Sequence, residues 1–80
     1  MTHRTFVRTA SGLGAYAAEQ RELRGLTQSQ LAQRAGVSRE WVGRFERGEN
    51  APSLVSVMRV LKVLNVRIYA ETDEPQGGEE

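Results

Sequence analysis

No cysteine occurs among the 80 residues, which excludes disulfides and thiolate metal sites and fits a reducing compartment. There is one histidine, His3, and one aspartate, Asp73, each near an end of the chain. With so few titratable groups to bring together, no catalytic triad, carboxylate pair or metal cluster can be assembled, so the expectation is a non-enzyme without a cofactor or metal. Long apolar runs are also missing. No uncharged stretch approaches the ~18 residues of a membrane span. Residues 1–10 are charged and lack the apolar centre of a secretory signal, so a cytoplasmic protein is expected. A Gly12-x-Gly14-x-x-Ala17 run matches the loose dinucleotide fingerprint but lacks the strand and the distal acid it requires, and is read as coincidence.

The net charge of +1 conceals a division. Residues 1–67 carry all eleven basic side chains against five acids, whereas residues 68–80 carry five acids (Glu71, Asp73, Glu74, Glu79, Glu80) and no base. A basic body with an acidic tail suits a polyanionic partner as well as a merely solvated surface.

Periodicity and caps divide the chain. Residues 1–8 form a basic, flexible arm. A first helix opens at Thr9 or Ser11, runs through Leu13, Ala17, Gln20 and Leu23, and stops at Gly25. Thr27 with Gln30 has capping-box spacing and opens a second helix with Leu31 and Ala32 inward, ended by Gly36. Ser38 caps a third, carrying Val42 and Phe45 inward and stopping at Gly48. Ser53 caps a fourth, whose Leu54, Val57, Met58, Leu61 and Leu64 form an apolar stripe. After Asn65 the period shortens to two: Val66, Ile68 and Ala70 alternate with Arg67, Tyr69 and Glu71, as in a half-buried strand. The expected layout is a helical domain over residues 9–65, a strand over 66–72 and a disordered acidic tail over 73–80.

Two helices of about eight to ten residues, joined only by Gly36-Val37-Ser38, must cross steeply, since the turn is too short for an antiparallel pair. The third helix then projects, and its N-terminal residues are free to enter a groove as wide as a helix. Arg39, Glu40, Gly43, Arg44 and Arg47 share its outward face. This run, Thr27-Gln28, Leu31-Ala32, Gly36-Val37-Ser38, Glu46 and Gly48, resembles the XRE/Cro-type helix-turn-helix family over roughly residues 13–64. The strand-like segment that follows resembles the HipB-like antitoxin branch.

The resemblance implies a mainly α, lambda-repressor-like domain of four or five helices with a C-terminal strand in an intermolecular two-stranded sheet. It implies base reading by Arg39, Glu40 and Arg44. Backbone contacts would come from Gln28, Ser38, Trp41, Gly43 and Arg47, although Ser38 serves equally as a plain cap and Trp41 equally as packing against the second helix. It implies a salt bridge between Arg21 and Glu46. Arg4 and Arg8 either follow the DNA or take no part.

A lone exposed strand is unstable, so residues 66–72 are expected to pair antiparallel across a two-fold axis. Centred on Tyr69, that pairing sets Arg67 opposite Glu71 of the second chain, and the interface takes in Val60, Val63, Val66, Ile68 and Ala70. The implied function is a homodimeric repressor on a palindromic double-stranded DNA operator, as the antitoxin of a HipBA-like toxin-antitoxin module. Its further partner would be a HipA-like serine/threonine kinase toxin, with no membrane involved. A stand-alone phage-type repressor and an interaction module without DNA binding are the alternatives.

Overall fold

The computed structural model describes residues 2–49 and 51–75. Met1, Asn50 and the last part of the expected acidic tail, residues 76–80, lie outside the described residues. Among the described residues four helices form, α1 (Ala10–Leu23), α2 (Gln28–Ala35), α3 (Arg39–Glu46) and α4 (Leu54–Val63), and none of them is long and apolar enough to cross a membrane.

Every helix starts on a hydroxyl. The side chains of Thr9, Thr27, Ser38 and Ser53 accept from the backbone N–H of Gly12, Gln30, Trp41 and Ser56, so each first turn has a partner for one of its orphan donors. At Thr27 the Gln30 side chain returns the bond, completing the box. Every helix also ends alike. Paired bonds such as Val37 N–H to the Ala32 carbonyl and Gly36 N–H to that of Gln33 recur at Gly25–Leu26, Gly48–Glu49 and Asn65–Val66. The pivot residue is left-handed each time, and at α4 it is the non-glycine Asn65, at φ 58°.

The core is Ala17 from α1, Leu31, Ala32 and Ala35 from α2, Val42 and Phe45 from α3, and Val57, Val60, Leu61 and Leu64 from α4 with its end. Gly14 of α1 approaches the end of α3 closely. A Cβ on Gly14 would overlap the Phe45 carbonyl, and one on Gly48 would meet Ser11, so α1 presses its small-residue face against the end of α3.

The buried side of α4 differs from the expected stripe. Val57, Val60, Leu61 and Leu64 turn inward, while Leu54 is 70% and Met58 48% exposed. Val60, expected to face a second subunit, is fully buried in the chain's own core and has nothing left to offer an interface. The reason is that the apolar arc of α4 is wider than its core contact, with only Ser56, Arg59 and Lys62 on the polar side: Leu54, Val55, Val57, Met58, Val60, Leu61 and Val63 admit more than one inward register, and packing against α2 selects one. Val63 and Val66 are half-buried against the core.

Among the described residues no strand forms in the single chain. Residues 67–75 run on exposed, and the Arg4 guanidinium of the N-terminal arm sits over the Tyr69 ring at 5.2 Å.

Candidate nucleic-acid interface

The end of α3 is fixed by a half-hidden charge cluster. Arg21 donates from Nε to Glu46 Oε2 at 2.7 Å and from Nη2 to Oε1 at 3.1 Å, while its Nη1 reaches the Leu26 carbonyl at 2.8 Å. The side chains are 12% and 6% exposed. The two-pronged geometry matches a planar guanidinium to a planar carboxylate. The hydrogen bond to Glu46 raises the already high pKa of Arg21 against the opposing effect of burial. Gln28, first residue of α2, donates from Nε2 to Glu46 Oε1 at 2.9 Å. One carboxylate thus ties α1, α2 and α3 together, and sets the angle at which α3 projects.

The projecting face carries the candidate contact residues. Arg39 and Glu40 stand exposed in the first turn of α3, and Arg44 stands exposed one turn on. Neither Arg39 nor Arg44 enters an ion pair among the described residues. Arg47 is different. It donates from Nε to Glu49 Oε2 at 2.8 Å in an exposed pair. That hydrogen bond raises the Arg47 pKa, and it holds the Glu49 carboxyl below its ordinary range.

The four remaining expected residues differ in their situations. The Ser38 hydroxyl accepts from Trp41 N–H at 3.0 Å as the α3 cap. Trp41 is half-buried and stacks on Phe45 of its own helix, with centroids 5.0 Å apart and planes at 26°, rather than standing free. Gly43, expected on the exposed face, is buried, because Arg47 and Gln28 fold over it: a Cβ there would lie 3.2 Å from Arg47 Nη1. Gly43 thus lies beneath the expected contact face and gives room to the side chains above it. Gln28 is half-buried, with its amide engaged by Glu46.

Sequence reasoning missed Gly14. Its signal was present, since a glycine inside a helix is unfavourable by ~1 kcal/mol relative to alanine and asks for a packing reason.

Two short helices crossing at a tight turn, with the second projecting its charged face, define a helix-turn-helix domain. A profile of the Helix-turn-helix family matches residues 18–69, and the chain belongs to this family, in its XRE-type group of transcriptional regulators. An uncharacterized HTH-type transcriptional regulator of Methanothermobacter thermautotrophicus is 41% identical over 46 residues, spanning 58% of this chain and 67% of that protein. Among solved structures, the restriction-modification controller protein C.AhdI from Aeromonas hydrophila is 34% identical, with a TM-score of 0.65 over 69% of this chain and 83% of its own. The biofilm master regulator SinR, solved in complex with DNA, is 30% identical, with a TM-score of 0.64 over 69% and 89%. HipB in a HipA–HipB–O2–O3 complex is 20% identical, yet superposes with a TM-score of 0.79 over 89% of this chain and all of that chain, a likeness of fold.

Proposed function

We propose that the protein is a sequence-specific DNA-binding repressor that acts as a homodimer. Arg39, Glu40 and Arg44 read base edges in the major groove. Arg39 and Arg44 offer the forked donors that suit guanine, and Glu40 can accept from a cytosine amino group. The N-terminal turn of α2 at Gln28, together with Ser38, Trp41 and Arg47, faces the phosphates. The observation that carries this reading is the pair Arg39 and Arg44: two exposed guanidinium groups, in no ion pair among the described residues, on a helix tied from behind by Arg21, Gln28 and Glu46. SinR, a solved relative at 30% identity, was captured on DNA.

Dimerisation follows from residues 66–72. Ile68 and Tyr69 stand 52% and 65% exposed, with the Arg4 guanidinium over the Tyr69 ring, and antiparallel pairing about Tyr69 would cover them and set Arg67 opposite Glu71 of the partner subunit. Val63 and Val66, half-buried, border that segment. Two recognition helices then face successive major grooves ~34–36 Å apart, on a palindromic operator.

Within this class we favour an antitoxin of the HipB kind, with a HipA-like kinase toxin as partner. The support is the superposition on HipB, which takes in 89% of the chain where the other structures named stop at 69%. A stand-alone regulator is favoured by the higher identity to C.AhdI and SinR, and co-purification of a kinase from the native host separates the two.

Fluorescence anisotropy with a palindromic duplex at several salt concentrations tests the DNA reading. Log affinity should fall linearly with log salt, and Arg39→Ala should lose ~1–3 kcal/mol on the palindrome while leaving random DNA little changed. Equal losses on both duplexes would refute base reading by Arg39.

A further inference from the structure

Away from α3 lies a second basic surface. Arg34 and Ala35 at the end of α2, with Arg59, Lys62 and Val63 on α4, line an open groove of about 460 Å³. Its floor is Ala35, buried, and Val63, half-buried; its rim is the three exposed cations. None of Arg34, Arg59 and Lys62 enters an ion pair among the described residues. Arg34 stands six residues along α2 from Gln28, ~9 Å up the axis, so the groove sits at the other end of α2 from the reading face. A shallow, open groove with an apolar floor and a basic rim suits an extended acidic segment better than an enclosed small molecule.

We infer that the acidic segment at residues 71–74 of one protomer lies against this groove on the other, so that each tail fastens the dimer. The inference rests on the dimer proposed above. In the register centred on Tyr69, Glu71 lies opposite Arg67 of the partner subunit and Thr72 opposite its Val66, and Asp73 and Glu74 run on past that last pair, where the partner's α4 ends. Lys62 lies just inside that end and Arg59 nearly one turn further. Advancing ~3.3 Å per residue, the tail therefore leaves the crossing towards the mouth of the partner's groove. It carries only negative charge, where the groove carries only positive. Its own groove is not its seat: in the single chain Glu71, Asp73 and Glu74 are exposed and form no ion pair among the described residues.

The test mixes two full-length variants. One carries Asp73→Lys and Glu74→Lys; the other carries Arg59→Glu and Lys62→Glu. All four positions are exposed, and circular dichroism checks that both variants keep their helices. Each homodimer then sets like charges against each other twice, whereas the heterodimer has one contact of wild-type charges and one with both signs reversed. An exposed pair is worth from nothing measurable to about fivefold, and several acting together should enrich the heterodimer roughly tenfold over statistical proportions by native mass spectrometry at low salt. The enrichment should fade as salt rises. Statistical mixing overturns the inference, and so do weakened homodimers without heterodimer preference, which would mean a tail acting on its own subunit. A wild-type protein that stays monomeric in light scattering at high concentration refutes the parent dimer reading itself. Independently, Asp73→Asn with Glu74→Gln should weaken wild-type dimerisation several-fold at low salt; an unchanged dissociation constant overturns the inference even if the charge-reversed variants do not fold.

Discussion

The half of the molecule from Thr9 to Glu49 and the half from Ser53 onward are built on different principles. All four helices are capped alike, but in the first half Gly14 and Gly48 also permit one close crossing and Glu46 joins three helices, so the register there is dictated several times over. In the second, the apolar arc of α4 is wider than the core can cover and the segment after it finds little cover in its own chain: Leu54, Val55, Met58, Ile68 and Tyr69 all remain exposed. The first half can present a precise charged face because little in it can slide. The second leaves an apolar and charged surface that a second subunit can complete.

The contrast can be broken most severely at Gly14. Gly14→Ala should destabilise the chain by ~3 kcal/mol or more, because the new methyl has only the Phe45 backbone to displace. The melting temperature should fall by roughly 10–20 °C, measured by circular dichroism. Next comes Glu46→Ala, which strands Arg21 and releases Gln28. A loss of ~2–4 kcal/mol in urea unfolding is expected, below the largest values for buried pairs because Arg21 keeps the Leu26 carbonyl.

The looser half is sharpened by a pair of changes on one helix. Val60→Ala should cost about 2 kcal/mol at any protein concentration, whereas Met58→Ala should stay within ~0.5 kcal/mol in a monomeric sample. A Val60→Ala effect that appears only in the dimer would reverse the assignment of that residue to the core. Thr27→Ala, losing the box at α2, should cost about 1 kcal/mol.

The smallest expected effect concerns pH. Because Arg47 depresses the Glu49 pKa, the pair adds stability above the ordinary carboxylate range, and that contribution is lost as pH falls through the depressed value. Being exposed, it is slight. Glu49→Gln should flatten the acid side of the stability profile and, by freeing Arg47, tighten DNA binding at low salt.

What the sequence disclosed follows the same division. Thr27, Gln30, Gly36 and Ser38 could be placed at helix ends from their chemistry alone, since capping is a local matter. The direction of Val42 and Phe45 was readable from spacing. Three things were not. The inward side of α4 depends on which apolar stripe α2 accepts, and periodicity is silent when most positions are apolar. The burial of Gly43 depends on Arg47 and Gln28 closing over it, a tertiary event with no local signal. The basic groove draws Arg34 and Lys62 from helices far apart in sequence.

The most direct test of the account is selection of binding sites from a random duplex pool by the purified protein. Enriched sequences should converge on a two-fold symmetric motif with half-sites about 10 base pairs apart, and Arg39→Ala should blur one position in each half. A pool that emerges no different from its input at low salt would contradict it.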